Sequence, residues 1–225
     1  MGKEYLPQVQ VVSTVPSPAE VVLAEDFEHG FNWAITATTG GIYRRDPAAT
    51  FQGPYGFYIS TRTTTPASGD SVTINRYVGL IRGKYLEFAV RFLASPDQSE
   101  GNQDFTIKIR KGTQYYQFGI RRLGSTELLQ YLDSEGNWTN ITGITLTLLV
   151  DVWHYLRFVI DVADMKYVCV DTGMERADLK NISPYTTTLA GTSLYAIVGV
   201  TITTTAAAAT DIYLDQVFIR AVASP

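Results

Sequence analysis

The reading of the fold turns on Lys84-Tyr85-Leu86-Glu87-Phe88-Ala89-Val90-Arg91-Phe92-Leu93. Leu86, Phe88, Val90 and Phe92 fall on one side of an extended chain, and Tyr85, Glu87, Ala89 and Arg91 on the other. This is period two, the mark of a strand with one buried face. The same pattern returns on both sides. Phe105, Ile107 and Ile109 oppose Thr106, Lys108 and Arg110. After the turn Lys111-Gly112-Thr113, Tyr116, Phe118 and Ile120 oppose Gln117, Gly119 and Arg121. A strand over 127–132 precedes the strong turn Asp133-Ser134-Glu135-Gly136-Asn137, and Trp138 follows it. The stretch 104–141 is therefore expected to form an antiparallel meander. Residues 153–162 and 166–171 read as strands joined at Ala163-Asp164-Met165, and 194–203 and 211–220 as two long strands.

Composition agrees with this reading. The 225 residues are 45% hydrophobic and 12% aromatic, too apolar for a disordered chain. The 14 tyrosines, with abundant threonine, favour strands over helices. About ten to fourteen short strands at even spacing, without a fixed repeat, predict an all-β, two-sheet antiparallel sandwich or jelly roll. Residues 20–225 contain no linker and are expected to be one β-sandwich domain. Residues 1–19, broken by Pro7, Pro16 and Pro18, read as an extended N-terminal arm that packs on a neighbouring subunit in a homo-oligomer or larger assembly.

Charge and sequence signals exclude further classes. The net charge of −4 argues against nucleic-acid binding through bulk electrostatics. No run of 18 apolar residues exists, so no membrane insertion by a helix is expected. Residues 1–7 lack an apolar signal-peptide core. The single cysteine, Cys169, lies in the apolar run 167–170 and reads as inert core packing.

Three segments together resemble the concanavalin A-like lectin/glucanase superfamily, over about residues 20–222. They are the opening Glu25-Asp26-Phe27-Glu28 with Trp33, the closing Ile212-Tyr213-Leu214-Asp215-Gln216-Val217-Phe218-Ile219, and the hairpin beginning Trp153-His154-Tyr155 and running into Lys166-Tyr167-Val168. The resemblance implies the jelly-roll fold and does not select a function, because lectins, binding modules, glycan-cleaving enzymes and viral adhesive proteins share it. If its first and last strands pair as the resemblance implies, Asp26, Glu28 and Asp215 could supply oxygen ligands to a structural calcium. No other cofactor is expected.

Catalytic constellations are hard to find. The Glu-x-Asp-x-x-Glu pattern of jelly-roll glycosidases is absent, and Glu25, Asp26 and Glu28 read as turn carboxylates. Lyases of this fold use Tyr and His with Arg and Gln neighbours. The two histidines, His29 and His154, show no Gln-x-His pattern, and 111–117 gives only a faint echo of a lyase strand. The chain is therefore expected not to be an enzyme. Zinc is not expected, because the two histidines and one cysteine lie far apart with no ligand spacing.

Sugar binding has a clearer basis. A pyranose offers an apolar face and a polar rim, which a flat ring beside polar side chains matches. Tyr115, Gln117, Arg121, Tyr131 and Trp138 in the meander are the candidate glycan-binding residues, and Lys108, Arg110 and Arg121 share its outward face. The expected function is a non-enzymatic structural or interaction protein: a virion surface, decoration or fibre component, at a virion or extracellular surface. A carbohydrate-binding module or lectin is the alternative, and a glycan hydrolase or lyase the third reading.

Overall fold

Apolar–polar alternation separated by turn residues produces fourteen strands: β1 (Glu20–Glu25), β2 (Ala34–Ala37), β3 (Ile42–Asp46), β4 (Gly56–Ser60), β5 (Ser71–Val78), β6 (Tyr85–Ala94), β7 (Asn102–Arg122), β8 (Leu128–Leu132), β9 (Trp138–Thr145), β10 (Trp153–Asp161), β11 (Lys166–Asp171), β12 (Arg176–Asp178), β13 (Tyr185–Thr203) and β14 (Asp211–Val222). They come from a computed structural model that describes residues 20–28, 32–38, 40–48, 50–61, 65–79, 83–94, 101–149, 152–206, 208–223 and 225. No helix occurs among the described residues. The arm expected over 1–19 lies outside them.

The strands form two antiparallel sheets, the expected sandwich. One has the order β12-β11-β10-β6-β14-β4-β3, with β1 also paired to β14. The other has the order β2-β5-β13-β7-β8-β9. The meander 104–141 lies in this second sheet as three consecutive neighbours, and the hairpin 153–171 lies in the first.

The buried face of β6 behaves as its period demands. Phe88 pairs with Phe158 of β10 and Ile219 of β14, Val90 with Leu156 and Val217, and Phe92 with His154 and Leu214. The opposing layer is Phe105, Ile107 and Ile109 of β7, Val198, Val200 and Ile202 of β13, and Val72 and Ile74 of β5. Phe105 joins the layers, with ring centroids 5.2 Å from Phe92 and 6.2 Å from Phe88. The other face of β6 is less open than alternation implies. Glu87 is buried there because Arg157 and Arg220, on the two flanking strands, both reach across to pair with it.

Strand β7 is not straight. Residues 17 positions apart on one extended strand would stand about 55 Å apart. Instead, Arg121 holds Asp104 through two hydrogen bonds of 2.6 and 2.7 Å. The strand doubles back at Lys111-Gly112-Thr113, where Gly112 has φ +67°, a conformation that costs other L-residues a steric clash. This is the turn read from the sequence. Its two arms, 102–110 and 114–122, lie side by side with 104 opposite 121 and 106 opposite 119. Strand β13 pairs with the first arm over 193–203 and with the second over 185–188. The strands β2 and β3 and the opening of β13 were not foreseen. Few of their side chains are buried, so they carry no apolar stripe to read.

Candidate functional site

The solvent face of the six-stranded sheet is assembled by register. Tyr77 of β5 lies beside Ile197 of β13, which lies beside Lys108 of β7. The hairpin register then sets Gln117 next to Lys108. In the adjacent row Tyr195 pairs with Arg110, and Tyr115 follows on the second arm. The row on the other side holds Asn75, Gly199, Thr106 and Gly119. A fourth holds Thr73, Thr201, Asp104, Arg121, Gln130 and Asn140.

This face divides into two parts. Around the hairpin tip, Tyr77 and Tyr195 meet edge-to-face at 5.6 Å, and the Arg110 guanidinium lies 5.9 Å from the Tyr195 ring. Tyr77 is 68% exposed. Burial pushes the Tyr115 phenol up to about 12, with Tyr195 and Tyr77 adding to the shift. Tyr115 is therefore a neutral hydroxyl at physiological pH. Arg110 donates to the carbonyls of Ala190 and Gly191, fixing the segment of β13 that crosses the hairpin tip. Burial lowers the Lys108 ammonium, with no charged partner opposing the shift.

At the hairpin base the polar groups are engaged with one another. Arg121 is paired with Asp104, and its guanidinium covers the Trp138 indole at 4.1 Å. A sugar could stack on that face of Trp138 only by displacing Arg121. Burial raises the Asp104 carboxyl, and Arg121 opposes that rise. The indole also lies over Gly119, where an added Cβ would stand 2.8 Å from Trp138 Cη2.

The hairpin is held from inside the sandwich. Tyr167 of β11 crosses the core: its hydroxyl accepts from the Gly119 amide at 2.8 Å and donates to the Leu132 carbonyl at 2.9 Å. The fully buried Arg122 donates to the Leu146 carbonyl at 2.9 Å and to Gln103 Oε1 at 3.2 Å. Neither role was read from the sequence, because each partner comes from a distant strand.

Four of the five expected glycan-binding residues, Tyr115, Gln117, Arg121 and Trp138, share this face. Tyr131 does not. It packs against the core with its ring 5.9 Å from Tyr167, because it sits opposite Ile120, an inward position. The sequence reading missed Tyr77 and Tyr195. Alternation alone marks both as outward, but only the β5–β13–β7 register brings them to Tyr115.

The expected calcium ligands do not form a cage. Asp215 Oδ2 accepts from the Phe51 and Gln52 amides at 2.8 and 2.6 Å, Asp26 Oδ1 from the Glu28 amide at 3.0 Å, and Glu28 Oε1 from the Tyr55 amide at 3.0 Å. Asp215 Oδ1 is buried and has no hydrogen bond from a described residue. Among the described residues no three His, Cys, Asp or Glu side chains are arranged to hold a metal ion. These carboxylates order loops through main-chain amides. Glu25 is likewise structural, accepting from the Phe27 amide and Trp33 Nε1 and pairing with Arg76. His154 is buried, with Nε2 3.1 Å from the Leu149 amide. Cys169 is buried and its thiol is pushed up by burial, as its apolar surroundings implied.

No protein-family model and no curated protein matches the sequence. Solved structures do match in fold. An endo-β-1,4-glucuronan lyase from the fungus Trichoderma reesei is similar with a TM-score of 0.61 at 14% identity, covering 90% of this chain and 96% of the other. A carbohydrate esterase from the Shiga toxin-encoding bacteriophage phi24B gives 0.55 at 15% identity, covering 92% and 100%. A structure of carbohydrate-binding modules from the β-sandwich superfamily gives 0.50 at 11% identity, covering 87% of this chain and 60% of the other. The fold is thus the jelly-roll β-sandwich seen in carbohydrate-active and carbohydrate-binding proteins, as the concanavalin A-like resemblance implied.

Proposed function

We propose that this protein binds glycans on the solvent face of its six-stranded sheet. The observation that carries the reading is the cluster of Tyr77, Tyr195 and Tyr115 across two adjacent register rows, set among Arg110, Lys108, Gln117 and Asn75 on three neighbouring strands. The tyrosine rings supply flat apolar surfaces for sugar faces, and the flanking amides and cations supply hydrogen bonds to hydroxyl groups. The β-sandwich is the rigid support such a surface needs. Tyr115 and Tyr195 are the stacking residues. Trp138 and Arg121 brace the hairpin base.

The protein acts by binding and adhesion and leaves the glycan intact. Affinity electrophoresis against a panel of soluble polysaccharides tests this. Wild-type protein should be retarded by at least one polymer, and Tyr115→Ala and Tyr195→Ala should each weaken retardation about tenfold, in line with the loss of a stacked ring. Unchanged retardation in both variants would remove the site from consideration. Shortening of the bound polymer would overturn the binding-only reading.

A second role, in assembly, has one supporting observation. Among the described residues β1 pairs with β14 alone, and its Val21 is 57% exposed. An open edge accepts a further strand. This is the adhesive or decorating role, at a virion or extracellular surface, that the arm suggested. Light scattering of the full chain should show an oligomer that deletion of residues 1–19 dissociates. A monomer before and after deletion would refute it.

A further inference from the structure

Charge on the candidate face is unevenly balanced. Its strands present three outward cations, Lys108, Arg110 and Arg121, against one carboxylate, Asp104, on a chain whose net charge is −4. Asp104 is fully engaged by Arg121 through two hydrogen bonds, which leaves that pair neutral. Among the described residues Arg110 donates to carbonyl oxygens and lies near the Tyr195 ring, with no carboxylate partner, so its positive charge is oriented but not cancelled. Lys108 forms no hydrogen bond or ion pair with any described residue. It stands between Ile107 and Ile109, both buried, which forces its side chain outward. There it is half-buried between Ile197 and Gln117, in the row of Tyr77 and next to that of Tyr195 and Tyr115.

A partly desolvated ammonium without a counter-charge is unfavourable in the free protein. The same group is favourable once an anion reaches it, because the partners meet where water is already partly excluded. A surface built for neutral sugars has no need of this arrangement, since Asn, Gln and Tyr suffice for hydroxyl groups.

We propose that the ligand of this face is an anionic glycan, bearing carboxylate or sulfate groups, and that Lys108 is the residue that selects it by pairing with the anion. Arg110 supplies the second positive charge, one row nearer the hairpin tip. The tyrosines stack on the sugar rings between the charged contacts. The inference rests on the glycan-binding reading above.

The test uses the full chain and four probes: polygalacturonate, its fully methyl-esterified form, a sulfated galactan and neutral xylan. Polygalacturonate and its ester differ in charge on one backbone. Binding is measured by titration calorimetry at 50 and 300 mM salt. At least one anionic polymer should bind ten times more tightly than the ester and xylan, and its affinity should fall at the higher salt. Preference between polygalacturonate and the sulfated galactan identifies the anion. Lys108→Met should abolish the preference and Lys108→Arg retain it, with thermal unfolding confirming that both variants are folded. Equal affinity for polygalacturonate and its ester, with no preference for the sulfated polymer, would overturn the inference. So would an unchanged preference in folded Lys108→Met. If neutral polymers bind as tightly as anionic ones and Tyr115→Ala removes that binding, only the anionic inference fails. If no polysaccharide binds, the glycan reading falls with it.

Discussion

Tyr167 shows how one side chain can position a surface it never reaches. Its ring packs against Phe118 and Tyr131 inside the sandwich, and its hydroxyl serves the main chain of Gly119 and Leu132. Removing the hydroxyl leaves a buried amide and a buried carbonyl short of a partner, a change that costs about 1–3 kcal/mol. Tyr167→Phe should therefore lower stability by that amount in urea denaturation, with little change in the extent of folded structure. His154 gives a pH signature. Burial depresses its imidazole below 6.5, so the unfolded chain takes up the proton first as pH falls. The stability this residue contributes is intact above 6.5 and is lost as pH drops toward the folded value. The urea midpoint should be lower at pH 5.5 than at pH 7.5, and His154→Gln should shrink that difference.

At the scale of elements, the decisive unit is the hairpin within β7. Its arms carry Lys108, Arg110, Tyr115 and Gln117 outward, while Phe105, Ile107, Phe118 and Ile120 enter the core. Gly119 fixes how closely Trp138 can lie on the second arm. In Gly119→Ala the new methyl group would meet the indole at 2.8 Å and force it to tilt. The cost should be about 1–3 kcal/mol. Tryptophan emission should change with it, as the Arg121–Trp138 contact loosens. The hairpin was legible in the sequence because alternation on both arms flanks a Lys-Gly-Thr turn. The identity of its neighbours was not. Strand β13 reaches it from some 80 residues away, and period-two alternation says which way a side chain points but not which strand lies beside it.

At the scale of the whole molecule, aromatic rings join the two sheets. Phe105 contacts both Phe88 and Phe92. Phe105→Ala should cost about 3–5 kcal/mol, and we expect calorimetry to show one cooperative transition at a lower temperature in the variant. Two separate transitions would contradict the assignment of residues 20–225 to one domain. The sequence by itself determined the strands with a strong apolar stripe, the sandwich class, the inert cysteine and the outward set Lys108, Arg110, Tyr115, Gln117 and Arg121. Each follows from local sterics and period-two burial, which act within a few residues. Only the tertiary structure decided that Tyr131 turns inward, that Asp26, Glu28 and Asp215 serve main-chain amides, that Arg121 and Asp104 neutralise one another, and that Tyr77 and Tyr195 complete the surface around Lys108. These depend on pairing between strands far apart in the chain, and that pairing is set by the packing of the whole core.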